Sequence, residues 1–285
     1  MDKDYPIHQI TAEVISFVQD VLGGTGNPEV SGKLTTGIME SVSLGLAAHK
    51  EFWYREYNVT RPEIVLPQSA SPVFWHSAEI LDIKVREVTV DVSTGKFSLA
   101  EYKKAINSNT VCIVGSIPDM CFGGIDPIGA LSQLAKQYRT GLFIDASVGS
   151  FGLNLFAKQL DLDHPLDLTI ENLTAYVCNT RFYGVGPKAC SALFFAKSGM
   201  HQLSNFVKAD HLSGTYFTTS MSPSTNAPQI AATWDTMVTV GKSGYRNFAN
   251  KVFDTTKLIV SALQTFKSEL KVIGDPKVSF FPNKT

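Results

Sequence analysis

Cysteine is scarce in this 285-residue chain: Cys112, Cys121, Cys178 and Cys190 are the only four, with no CxxC pair and no histidine at zinc-finger spacing. That excludes a disulfide framework and a thiolate metal site, and leaves reduced, buried thiols as the expectation. An excess of either charge is missing too. With 25 basic side chains against 26 acidic ones, nothing in the balance points to nucleic acid or an acidic membrane. No uncharged apolar run approaches the roughly 20 residues that span a bilayer, and no basic-then-apolar leader opens the chain, so the expectation is a cytoplasmic protein without a membrane span. The sequons at Asn58 and Asn172 then read as chance matches, since glycosylation needs a secretory context. GxSxG, HExxH and P-loop patterns are absent, which removes three common catalytic signatures. His8, His49, His164, His201 and His211 show no metal-ligand pairing, so no metal site is expected.

What is present is the pattern of a large α/β protein. Ile7, Ile10, Val14, Phe17, Val18 and Val21 recur at helical spacing before a stop at Gly23-Gly24. A stretch rich in glycine and hydroxyls, GGTGNPEVSGKLTTGIMES, leads into a second helix from about Ile38 to Tyr57, whose start suits a phosphate. Gly24-Thr25-Gly26 is not a dinucleotide fingerprint, because it follows a helix and lacks the third glycine. From Glu63 onward strands and helices alternate. EIVLP, KVREVTVDV, TVCIVGSI and GLFIDAS read as strands, and SPVFWHSAEILD, SLAEYKKAI and DPIGALSQLAKQY as helices. Ser98 and Glu101 stand at capping-box spacing, and Asp126-Pro127 reads as an N-cap followed by a first-turn proline. Such alternation implies a mostly parallel central sheet flanked by helices, with ligands bound outside the carboxyl ends of the strands.

That rule singles out Asp145 at the carboxyl end of FID, followed by the small residues Ala146, Ser147 and Gly149. On the residues alone, a ligand-facing carboxylate and a turn-capping one remain equal readings. Farther on, GTYFTTSMSPSTNAP reads as a polar loop. A long helix follows from Gln229 to about Phe266 with a break near Gly241 to Gly244, and LKVIGDPKVSFF reads as a closing strand.

Taken together, PEIVLPQSASPVFWHSA, FIDASVGSFG, CNTRFYGVGPKACSALFF, ATWDTMVTVGKSGY and LKVIGDPKVSF resemble the sphingosine-1-phosphate lyases of the pyridoxal-phosphate-dependent group II decarboxylase family. The resemblance covers nearly the whole chain. It implies the type I pyridoxal-phosphate-dependent transferase fold, divided as an N-terminal helix and linker (1–30), a large domain (31–235), and a connecting helix with the start of a truncated small domain (236–285). It also implies pyridoxal phosphate as cofactor, with Asp145 pairing the pyridinium nitrogen.

Several positions depart from the family pattern. The consensus Asp-Thr-His-Lys-Tyr-Gly, whose lysine holds the cofactor covalently, is matched here by Asn179, Thr180, Arg181, Phe182, Tyr183 and Gly184. A benzyl group cannot form an imine. The family's phosphate loop, Thr-Ser-Gly-Gly-Thr-Glu-Ser, is matched by Thr35, Thr36, Gly37, Ile38, Met39, Glu40 and Ser41, where Ile38 crowds the backbone and Met39 removes a hydroxyl. The histidine that stacks on the cofactor ring is matched by Ser71, and a later Ser-Arg pair by Ser224 and Thr225.

These matches leave Asp145, Thr36, Gly37, Ser71, Asn179 and Thr180 as a vestigial cofactor set. No intact catalytic residue remains, and Lys188 is a weak substitute amine. The expectation is therefore a catalytically impaired lyase-like protein, a homodimer or a heterodimer with an active paralogue. Any cofactor would bind non-covalently, and any endoplasmic-reticulum association would come through the partner. Two alternatives stand beside it: an active lyase cleaving sphingoid base 1-phosphates to a fatty aldehyde and phosphoethanolamine, and a non-catalytic binder of a phosphorylated amine or lipid.

Overall fold

Runs of apolar and β-branched residues set the sheet. EIVLP, TVCIVGS and GLFIDA are buried at every position, as strands covered on both faces must be. The computed structural model describes residues 5–156, 165–222, 226–266 and 272–273. It opens with helix α1 (Tyr5–Val21), strand β1 (Ser31–Thr35) and helix α2 (Ile38–Tyr57). Then follow β2 (Glu63–Pro67), α3 (Val73–Ile80), β3 (Lys84–Val88), the small pair β4 (Val90–Asp91) and β5 (Lys96–Phe97), and α4 (Leu99–Ala105). The centre is β6 (Thr110–Ser116), α5 (Ile128–Tyr138), β7 (Gly141–Ala146), α6 (Ser150–Phe156), β8 (Ala175–Asn179) and β9 (Ser191–Phe195). Helix α7 (Met200–Leu203), a hairpin of β10 (Phe206–Lys208) and β11 (Tyr216–Thr218), and α8 (Ala227–Gln264) complete the described elements.

Seven strands form one sheet in the order β1-β9-β8-β7-β6-β2-β3. Pairing is parallel from β8 through β3, whereas β9 is antiparallel to both β8 and β1, so a single strand runs against the rest. Helices cover both faces. One apolar cluster draws on α1, α4, α5, α6 and α8, and the other on α2, α3 and α7. The mostly parallel sheet flanked by helices is therefore as the strand and helix alternation implies.

Helix α2 lies very close to the sheet. A methyl group added at Gly45 would stand 2.5 Å from Cε1 of Phe143, so only glycine admits this approach. Phe143 in turn stacks on His49 at 5.6 Å between ring centroids and meets Phe74 edge-on at 5.2 Å. His49 is fully buried. Its Nδ1–H donates to the Gly45 carbonyl at 2.7 Å, and Nε2 lies 2.7 Å from the Thr174 hydroxyl. It is a satisfied core histidine, and burial pulls its pKa down to about 4. On the other face the buried Tyr102 hydroxyl lies 2.9 and 2.6 Å from the carbonyls of Val65 and Val114 and accepts from the Val114 amide at 3.2 Å, joining α4 to β2 and β6.

Four local expectations are corrected. β1 was not apparent, because Gly32 interrupts a short, half-buried strand. Asp126 does not cap α5: Pro127 occupies the cap position, and the Asp126 carboxylate turns back to accept the Ser116 amide at 2.7 Å. The loop after α7 contains the β10–β11 ribbon. Cys121 is exposed, while the other three thiols are buried. The break in the long helix is found at Gly241, where φ is 60° and ψ 171°. The closing strand and the Ser224-Thr225 pair fall outside the described residues, apart from Val272 and Ile273.

Two outcomes follow from these contacts. Because folded His49 stays neutral down to about pH 4, the unfolded chain takes up its proton first as pH falls below the ordinary value of 6.5. The stabilisation is fully present above that value and is lost on acidification, by up to about 3 kcal/mol. In an NMR titration the His49 ring protons should hold their shifts from about pH 7 to about pH 5; a midpoint near the ordinary value of 6.5 contradicts this. Tyr102→Phe leaves a buried amide and carbonyl without their shared hydroxyl and should lower unfolding stability in urea by about 1–3 kcal/mol.

Candidate functional site

The residues of the vestigial cofactor set all fall at the carboxyl edge of the sheet. Asp145 is the penultimate residue of β7 and is buried, with its Oδ1 accepting the Ser147 amide at 3.0 Å. Thr36 and Gly37 join β1 to α2, Ser71 follows β2 and is buried, and Asn179 and Thr180 end β8. The bond to Ser147 is the turn-capping role expected of Asp145, and its place near the carboxyl end of β7 is where the strand rule puts a ligand.

Two further carboxylates, neither of them marked as a site residue in the sequence, accompany it. Asp126 is tied to Ser116, the register partner of Asp145 on β6. Asp119 accepts three backbone amides, from Cys121, Phe122 and Gly124, at 2.7–2.9 Å. Burial raises the pKa of all three acids. Asp126 is pushed up to about 8, chiefly by burial and further by the negative charges of Asp119 and Asp145. This edge thus carries buried acid groups, and Asp126 holds its proton at neutral pH. The Ser116 hydroxyl beside them is buried without a hydrogen-bond partner among the described residues.

The start of α2 carries a different arrangement. Gly37 precedes the helix with φ 152°, no side chain caps the helix, and nothing lies within 4 Å of the position a Cβ would take. The Glu40 carboxylate reaches back over this loop. Its Oε2 accepts the Thr36 amide and hydroxyl at 2.6 and 2.8 Å, and its Oε1 accepts the amides of Met221 and Ser222 at 2.6 and 3.3 Å. Lys33 on β1 is buried and donates to Asn205 Oδ1 at 2.7 Å and to the Thr219 carbonyl at 2.9 Å. Burial lowers its pKa to about 8, against the opposing pull of Glu40. Lys33 and Glu40 together pin the segment bearing the β10–β11 ribbon to the sheet edge. The signal for Lys33 lies in partners 172 and 186 residues away.

Between β8 and β9 the chain makes a tight, strained turn. Tyr183, Val185 and Ala189 all have positive φ, at 51°, 55° and 63°. A methyl group on Gly184 would come within 2.2 Å of the Thr180 carbonyl, which itself accepts the Gly186 amide at 2.9 Å. Helix α8 secures the turn from outside: the buried Tyr245 hydroxyl donates to the Gly184 carbonyl at 2.8 Å, and Asn226 Nδ2 donates to the Ala189 carbonyl at 2.8 Å. Phe182 and Lys188 both lie exposed on this turn. The Phe182 ring is 42% accessible and faces the Arg181 guanidinium at 5.6 Å.

No family model matches the chain. Individual proteins do. The sphingosine-1-phosphate lyase of Dictyostelium discoideum is 34% identical over 272 residues, covering 95% of this chain and 50% of that protein. Among solved structures, the sphingosine-1-phosphate lyase of Burkholderia pseudomallei superposes with a TM-score of 0.89 at 27% identity, over 95% of this chain and 63% of the other. A glutamate decarboxylase from Lactobacillus brevis, at 17% identity, shares the fold with a TM-score of 0.80 over 93% of this chain and 62% of its own. The chain spans about half the length of the curated relatives it matches. Along nearly all of its own length it is a homologue of the sphingosine-1-phosphate lyases, built on the fold they share with the pyridoxal-phosphate-dependent decarboxylases.

Proposed function

We propose that this chain is a catalytically impaired, sphingosine-1-phosphate-lyase-like protein that serves as a non-catalytic partner of an active paralogue. The observation that carries the reading is Phe182, an exposed ring at the position matched to the family's covalent lysine. Pyridoxal phosphate, when bound, supplies an electron sink. The residues present fit it in part. Asp145 offers a buried carboxylate for a protonated ring nitrogen, and the uncapped start of α2 beside Gly37 offers free amides for a phosphate. Thr36 fits less well, because its amide and hydroxyl are already taken by Glu40. The covalent link does not fit at all, since a benzyl side chain stands at position 182.

Two amines compete as substitutes, and both fall short. Lys188 lies exposed on the far limb of the turn. Lys33 has the depressed pKa of about 8 that suits a nucleophile, but its ammonium is held by Asn205 and Thr219 on the face covered by α2 and α7. Association with a second subunit is supported by the β10–β11 ribbon, whose Phe206 and Phe217 rings are 57% and 56% exposed. Among the described residues no helix is long and apolar enough to cross a membrane. Endoplasmic-reticulum association through the partner is part of the proposed reading.

Protein purified with added pyridoxal phosphate should show no visible band of a lysine-bound cofactor, and borohydride should leave no reduced adduct on any peptide. An adduct mapped to Lys188 or Lys33 overturns the reading. Phe182→Lys should regain covalent attachment yet stay at or below about one-hundredth of an active relative's turnover on a phosphorylated sphingoid base, since attachment without the ring stack and phosphate donors leaves the cofactor misplaced. Full recovery would show that Ile38, Met39 and Ser71 are compatible with catalysis.

A further inference from the structure

A cavity of about 530 Å3 opens at the opposite edge of the sheet from the cleft. Its walls include Thr140 and Thr174, which immediately precede β7 and β8, and Lys197, which follows the reversed strand β9. From Gly141 to Asp145 the strand rises about 13 Å, so this space and the candidate cofactor cleft are separate. The volume lies within the range of small-molecule sites.

Three cations line it, Lys136 and Arg139 at the end of α5 and Lys197, against one carboxylate, Glu29, leaving a surplus of two positive charges. The chain as a whole carries a net charge of -1, so the excess is local. Among the described residues none of the three cations has a carboxylate within 4 Å; Glu56 and Glu29 act on Lys197 only from farther away.

Lys136 and Arg139 have an ordinary explanation, since cations complement the negative end of a helix. That end is already served. The amides of Arg139 and Thr140 donate to the carbonyls of Lys136 and Ala135, and the Trp53 indole donates to the Arg139 carbonyl at 3.2 Å. Lys197 belongs to no helix. Its ammonium rests over the rings of Phe52 and Trp53, at 4.6 and 5.4 Å from their centroids, and burial lowers its pKa. A half-buried amine held over rings, lining an open cavity together with two further cations, is arranged for an anion that arrives from outside.

We propose that this cavity binds a small phosphorylated molecule carrying at least two negative charges, at a site independent of the cofactor cleft. Isothermal titration of the full chain with pyrophosphate and with phenyl phosphate, in low-salt buffer without phosphate or pyridoxal phosphate, tests it. One saturable site is expected, weakened about tenfold or more by Lys197→Gln and by Lys136→Glu, and changed less than about twofold by Thr36→Val in the cleft. Lys136 is exposed on α5, so its replacement reads the site even where Lys197→Gln disturbs the packing on Phe52 and Trp53. Absence of saturable heat up to about 10 mM ligand, or binding that survives both lysine replacements, overturns the proposal.

Discussion

The contact between Gly45 and Phe143 governs what the rest of the molecule can do. A side chain at position 45 would meet the ring at 2.5 Å and lift α2 from the sheet. With α2 seated, its first turn stands beside the end of β1, which brings Glu40 within reach of Thr36 on one side and of Met221 and Ser222 on the other. Its last turns put Trp53 against Arg139 and under Lys197 at the other edge. One absent methyl group thus bears on contacts at both ends of α2, from Glu40 to Trp53, about 20 Å apart along the helix.

The sheet was readable because its central strands are apolar at consecutive positions and its crossovers are helices of ordinary length. β2, β6, β7 and the helices between them needed no tertiary information. β1 did, since SGKLT is a strand only because β9 pairs with it in the opposite direction. Asp126 was misread for a related reason: an Asp before Pro is a strong local capping signal, but the Ser116 amide across the turn holds the carboxylate more firmly. At the site, position along a strand was enough to find Asp145, and matching to a known family was enough to find Phe182. Lys33 and Glu40 escaped notice, because their significance rests on burial and on partners supplied by a distant loop.

Frame and chemistry are separable in this molecule. The retained residues around the β8–β9 turn each have a backbone reason to persist: Gly184 and Gly186 lie against the Thr180 carbonyl, Thr180 donates from its hydroxyl to the Cys190 carbonyl at 2.9 Å, and Tyr245 closes the turn from α8. Buried acid at positions 119, 126 and 145 likewise belongs to the architecture of the edge, since backbone amides hold each carboxylate in place. The persistence of these groups therefore says that the fold is maintained. It says nothing about turnover.

The reversal of β9 has a corollary. Because β9 turns back beside β8, the segment between them is a hairpin whose shape is fixed by glycines, hydroxyls and α8, while the side chain at 182 projects outward, 42% accessible. Folding places almost no demand on that side chain. A lysine at this position would answer to chemistry and not to folding, so on the proposed reading its replacement leaves the surrounding turn intact. The position matched to the family lysine is an exposed residue on a turn whose backbone is held from both sides.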